Sequence, residues 1–183
     1  MPTVLIPLAQ GCEELEAVTL IDLLRRAGIE VVTAGLDDLP VVASRGTRLL
    51  SDTNLDTALQ RDYDMLVLPG GLPGADNLDK DLRIRALLQR MAQQGKYTAA
   101  ICAAPKVLAS AGVLAGKRAT AFPGVLEKLN TSDVQLSCDP VVQDGKVITS
   151  RGPGTAMDFA LELIELLVGS EKRAEVEAAL QRP

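Results

Sequence analysis

Short, almost unbroken apolar runs alternate along the chain with longer stretches in which apolar residues recur every three or four positions. Residues 4–8, 30–35, 65–68 and 98–102 are of strand length and apolar on both faces, which predicts strands buried on both sides and paired in parallel. Between the first two, residues 13–27 set Leu15, Val18, Leu20, Ile21, Leu23 and Leu24 at helical spacing and stop before Gly28, a residue suited to the position just past a helix end. Further helices are predicted over 81–94, 105–115 and 155–168, the last with Gly154 or Thr155 near its cap and Asp158 in its first turns. Residues 39–50 read as two short strands around a turn at 44–46. A second hairpin is predicted around Asp144-Gly145, between Val141-Val142 and residues 147–150. Strands alternating with helices imply right-handed crossovers. The expected fold is α/β: a flavodoxin-like, doubly wound, mostly parallel sheet with helices on both faces and one added antiparallel hairpin. Ligands belong at the carboxyl ends of its strands.

The 183 residues, 47% of them apolar, suit one domain with a substantial core, so residues 1–183 are read as a single unit. A net charge of −5 with interspersed signs gives no footprint for phosphate backbones, and four scattered aromatic residues offer no base-stacking platform, so nucleic-acid binding is not expected. The first apolar run is too short to span a membrane and lacks signal-peptide flanks. An odd count of three cysteines fits a reducing compartment, and the expected location is the cytoplasm.

Histidine is absent from the sequence. Ser-His-Asp and Cys-His catalysis and His-ligated metals are thereby excluded, and three cysteines without CxxC spacing argue against a structural zinc site. Acid–base work near neutral pH must then fall to a carboxylate, thiol, lysine or tyrosine of shifted pKa.

In Ala99-Ala100-Ile101-Cys102-Ala103-Ala104-Pro105 a strand runs into a helix, and Cys102 sits at the junction among residues small enough for a tight turn. That is the logic of a nucleophile elbow, here with sulfur. Unpaired N–H groups at the following helix start lower a thiol's pKa and can hold an oxyanion. A buried inert cysteine at a strand end fits the local pattern about equally well. Glu16, at the start of the first helix, can point toward the strand ends and share a proton with Cys102, giving a low-pKa thiol and a raised-pKa acid. Glu13 and Glu14 read largely as capping and solvated charge. The loop Leu68-Pro69-Gly70-Gly71-Leu72-Pro73-Gly74 fits neither dinucleotide nor P-loop spacing, and its glycines let backbone amides such as that of Gly71 approach a reacting centre. Ser150-Arg151-Gly152-Pro153-Gly154-Thr155 is a third such loop, placed to line a pocket or a subunit contact. Cys138 reads as structural and Cys12 as an ordinary small loop residue.

The segments GCEELEAV, IDLLRRAGIEV, SRG, LPGGLPGADNL, AAICAAP, TAFP and TSRGPGTAMDFAL, in this order, resemble the ThiJ/PfpI superfamily, in the branch of the human parkinsonism-associated protein deglycase and bacterial YajL. The resemblance runs nearly end to end. It implies a homodimer with a flavodoxin-like fold, a nucleophilic Cys102 hydrogen-bonded by a protonated Glu16, and oxyanion contacts from the amides of Gly71 and Ala103. It also implies a pocket-side Arg45, an Arg26 near the dimer interface, and a cysteine readily oxidised to sulfinic acid. Many members carry a histidine where this chain has Phe122 of Ala121-Phe122-Pro123, which removes any mechanism that needs it and disfavours a peptidase.

The activity expected from this is cofactor-independent and metal-free: a glyoxalase or deglycase in which the Cys102 thiolate attacks small aldehydes such as methylglyoxal, or early adducts on glycated protein. The alternative is a redox-sensing, chaperone-like protective protein.

Overall fold

The computed structural model describes residues 1–129 and 133–182. Its elements in chain order are β1 (Thr3–Leu8), α1 (Glu14–Arg26), β2 (Glu30–Gly35), β3 (Val41–Val42), β4 (Arg48–Leu49), β5 (Thr53–Asn54), α2 (Leu55–Ala58), β6 (Met65–Leu68) and α3 (Gly74–Lys80). They continue with α4 (Leu82–Gln93), β7 (Tyr97–Ile101), α5 (Pro105–Ser110), β8 (Arg118–Ala119), β9 (Gln135–Leu136), β10 (Val141–Asp144), β11 (Val147–Ser150), α6 (Ala156–Val168) and α7 (Ser170–Ala179).

One seven-stranded sheet runs in the order β10-β11-β7-β6-β1-β2-β5, parallel throughout except for β10 against β11. This is the expected doubly wound α/β sheet with an antiparallel hairpin at one edge. Alternate residues serve opposite layers, as strand geometry requires. Val4, Ile6 and Leu8 of β1, with Met65 and Val67 of β6, pack toward Leu20 and Leu24 of α1 and Phe159 and Leu163 of α6. Leu5, Leu66 and Leu68 face the other way, toward Leu88 of α4 and Leu108 of α5. After β1 the chain winds outward one way to β2 and β5, and from β6 onward it winds the other way. The crevice between the carboxyl ends of β1 and β6 is thus the switch point at which such folds seat ligands.

Several boundaries differ from the sequence pattern. Strand β7 ends at Ile101, one residue before Cys102. Helix α5 stops at Ser110 rather than 115, because Gly112 turns left-handed (φ 77°) and the Val113 N–H bonds back to Leu108. Asp81 caps α4 instead of lying inside it, its carboxylate accepting from the Arg83 N–H. A 3-10 turn, Pro153–Thr155, precedes α6. In the late hairpin Asp144 pairs with Val147, which moves the connecting residues to Gly145 and Lys146. The pair β3–β4 matches the short strands expected over 39–50. Among the described residues, no helix is long and apolar enough to cross a membrane.

Candidate active site

Three chain segments meet at the switch point: the loop from β1 into α1, the glycine-rich loop after β6, and the turn from β7 into α5. The first two interlock through their backbones. Glu13 donates its N–H to Gly70 O and Gly74 donates to Gly11 O, while a Cβ at Gly74 would lie 2.6 Å from Cys12 Cα. Gly71 is left-handed (φ 89°) and a Cβ there would collide with the Glu13 nitrogen, so both conformation and space demand glycine.

At the third segment Cys102 leaves β7 with φ 64°, a left-handed conformation that is costly for a residue with a side chain. Backbone bonds on both sides hold it there: its N–H donates to Ser150 O at 3.0 Å, and its carbonyl accepts from the Phe122 N–H at 2.9 Å. Pro105 then starts α5, where its missing N–H costs nothing. The result is a sulfur lifted off the sheet end, with the N–H groups of Gly71 and Ala103 directed at it.

Glu16 approaches the same point from α1. Glu13 is the helix cap, accepting the Glu16 N–H at 2.8 Å, and this fixes the first turn so that the Glu16 side chain runs inward. The carboxyl is fully buried and accepts the Gly70 N–H on Oε2 at 2.8 Å. Among the described residues its Oε1 has no conventional partner, and the Cys102 thiol is the other polar group against the carboxyl. Burial pushes Glu16 up to about 7, opposed by the Gly70 N–H and the thiol and reinforced by the charge of Glu13.

The thiol corrects a sequence expectation. Burial, and the Glu16 carboxylate when ionised, push Cys102 up to about 12, against the pull of the Gly71 and Ala103 N–H groups. A low thiol pKa therefore does not come from the elbow alone. It requires Glu16 to hold the proton, which removes the opposing charge and turns the carboxyl into a donor. The two groups therefore titrate as a coupled pair, each setting the other's proton affinity.

Cys102 opens into a cavity of about 270 Å³. Gly71, Leu72 and Ala103 line it near the sulfur; Phe122, Val125 and Pro153 form an apolar side; Glu13, Ser44 and Arg45 form the polar side. Gly70 lies behind, between Cys102 and Glu16. Arg26 is remote from the cavity, in the last turn of α1 and paired with Asp22 at 2.8 Å.

Other residues depart from the sequence reading. Glu14 is no solvated cap: its carboxylate accepts from Ser44 Oγ and from the N–H groups of Arg45 and Thr47, and so clamps the turn that forms the polar wall. Those bonds hold Glu14 at about 2 despite a desolvation effect in the opposite direction. Cys138 is exposed and contributes nothing to the core, because its segment lies outside the main sheet. Cys12 is fully buried, with its thiol pushed up to about 12 by burial, and behaves as a small apolar residue. Sequence reasoning missed Ser44, Leu72 and Val125 as wall residues. For Ser44, its place beside Arg45 was the available signal.

The profile of the DJ-1/PfpI family matches residues 2–166. Protein DJ-1 homolog B of Arabidopsis thaliana is 44% identical over 180 residues, covering 97% of this chain and 41% of that protein, so the chain spans under half of that relative's length. Glutathione-independent glyoxalase DJR-1.2 of Caenorhabditis elegans is 37% identical, with 92% of this chain and 89% of that protein covered. The crystal structure of Drosophila melanogaster DJ-1beta superposes with a TM-score of 0.95 at 42% identity, covering 100% of this chain and 98% of that one. By the extent of the profile match and of these alignments, the chain belongs to the DJ-1/PfpI family.

Proposed function

We propose that the chain is a cofactor-independent glyoxalase or deglycase acting on small reactive aldehydes. The observation that carries this reading is the buried pair of Cys102 and Glu16: a thiol on a left-handed elbow facing a cavity, backed by a carboxyl that titrates at about 7. The name of the Caenorhabditis elegans relative agrees with it.

The Cys102 thiolate adds to the aldehyde carbon of methylglyoxal, and the resulting alkoxide takes the proton held by Glu16, giving a hemithioacetal. While the oxygen is anionic, the N–H groups of Gly71 and Ala103 are placed to stabilise it. Glu16, now ionised, removes the former aldehyde hydrogen as a proton and returns it to the neighbouring carbon by way of an enediol. The sulfur then carries a lactoyl thioester, which water hydrolyses to lactate and free thiol. Methylglyoxal and water thus give lactate with no external oxidant or reductant. Deglycation uses the same thiolate on an early adduct of protein.

A second reading, a redox-responsive protective protein, draws on the same two N–H groups, which would equally well hold the oxygens of an oxidised Cys102. The partner in solution is a second copy of the chain: Leu15 and Val18, three positions apart on α1, are both about half exposed, an unpartnered apolar face. Free cysteines suit a cytoplasmic setting.

The deciding assay is methylglyoxal consumption with lactate detection on the wild type, Cys102→Ser and Glu16→Gln. Loss of turnover in both variants is expected. A wild type with a reactive thiol and no lactate would overturn the enzyme reading in favour of the redox one.

A further inference from the structure

The Cys102 cavity has a neighbour on the far side of its apolar wall. Phe122 and Pro153 also wall a second cavity of about 180 Å³, lined further by Arg151, Gly152, Gly154 and Thr155. The backbone joins their walls, because the Cys102 N–H donates to Ser150 O and Arg151 is the next residue. The divider is held in place. Phe122 is tied by its N–H to Cys102 O, and its ring lies on Gly152, where a Cβ would come within 3.3 Å of Phe122 Cδ2.

Arg151 gives the second cavity its charge. One guanidinium nitrogen, Nη1, donates to Cys138 O at 3.0 Å, which orients the group. The carboxylates on the neighbouring segments are engaged elsewhere, Asp139 by Arg118 at 3.3 Å and Asp158 by Arg182 at 2.8 Å. Among the described residues Arg151 has no carboxylate partner.

We propose that the second cavity is a subsite for the anionic end of an elongated carbonyl substrate. The reacting carbon sits at Cys102, a planar apolar spacer crosses Phe122 and Pro153, and a carboxylate meets Arg151. The inference rests on the carbonyl chemistry proposed above and narrows its substrate class to α-oxoaldehydes that carry a carboxylate beyond the spacer. Conversion of such a compound with water to its 2-hydroxy acid is the same balanced reaction.

The test compares phenylglyoxal with 4-carboxyphenylglyoxal, with methylglyoxal as the short control, on the wild type, Arg151→Ala and Gly154→Leu. Gly154 borders that cavity, is exposed, and a Cβ there meets nothing within 4 Å, so a leucine adds bulk at the cavity's edge without a clash. The wild type should favour the carboxylated compound about tenfold in kcat/KM, the scale of one charge-assisted contact. Both variants should lose that preference and keep methylglyoxal turnover. Equal use of the two aryl compounds by the wild type, or a preference surviving in Arg151→Ala, would overturn the subsite. Binding of the ketones 4-acetylbenzoate and acetophenone to the full chain separates the two claims. Tighter, Arg151-dependent binding of 4-acetylbenzoate without methylglyoxal turnover keeps the subsite and removes the enzyme reading, whereas equal binding removes the subsite whatever the turnover.

Discussion

Gly70 holds Glu16 and Cys102 at their working separation: its N–H donates to Glu16 Oε2 at 2.8 Å, and a methyl group on its Cα would lie 2.6 Å from Cys102 Cβ and 2.8 Å from that same oxygen. Gly70→Ala drives a wedge between the two groups that exchange a proton in the proposed mechanism. Turnover of methylglyoxal should fall about a hundredfold, as for other small displacements of reacting groups, and urea denaturation should show a loss of about 1–3 kcal/mol from overpacking. A Gly70→Ala protein with wild-type turnover would mean that the two groups do not act together.

Burial of Glu16 also makes stability depend on pH. A carboxyl whose pKa rises on folding, here from 4.5 to about 7, binds its proton more tightly in the native chain. Its contribution is fully present below the unfolded value and is lost as pH climbs through about 7. Glu16→Gln does not titrate, so thermal denaturation between pH 5 and 8 should show the variant gaining on the wild type, by at most about 3 kcal/mol. Parallel curves for the two proteins would show that the carboxyl is already ionised at pH 5.

Reactivity of Cys102 should follow the pair and not the lone thiol. The pair's first proton leaves with an apparent pKa no higher than the value of about 7 set by Glu16. Iodoacetamide alkylation of Cys102 should accordingly rise with a midpoint at or below pH 7. A midpoint above the ordinary cysteine value of about 8.5 would mean that the proton stays on sulfur and that the thiolate is a negligible share of the pair.

Glu14 governs the polar wall without touching the sulfur. Glu14→Ala frees the turn bearing Ser44 and Arg45, so KM for methylglyoxal should rise about three- to tenfold while kcat stays within about twofold, the signature of lost positioning in the ground and transition states alike. Glu14→Gln keeps one carbonyl acceptor and should recover part of the loss. A fall in kcat with KM unchanged would assign the turn a part in the chemistry.

Much of this architecture is legible in the sequence because β1, β2, β6 and β7 are apolar on both faces and α1 carries a clear helical period. The elements that escape detection leave too little apolar pattern. Strands β5, β8 and β9 are two residues each, α3 is spelled Gly-Ala-Asp-Asn-Leu-Asp-Lys directly after a loop of glycines and prolines, and Val176 is the buried residue of α7. Cys102 and Glu16 are legible from their places at strand-to-helix junctions. The grip of Glu14 is not, since Ser44 lies 30 positions away and only the β3–β4 hairpin brings it back. Nor can a linear pattern tell which member of a buried acid–thiol pair keeps the proton, because that depends on every dipole packed around both.

The interlock of the Gly11–Glu13 and Gly70–Gly74 segments divides the site into two kinds of material. What holds the reacting pair in register is mostly main chain: amides, carbonyls and glycines with no room for substitution. What would meet the rest of a substrate is side chains, Arg45, Phe122 and Val125, carried on separate segments. Chemistry and choice of substrate are consequently written in different parts of the sequence, so a lineage built on this scaffold can change its diet by exchanging rim residues while the elbow, the buried acid and the glycines stay as they are.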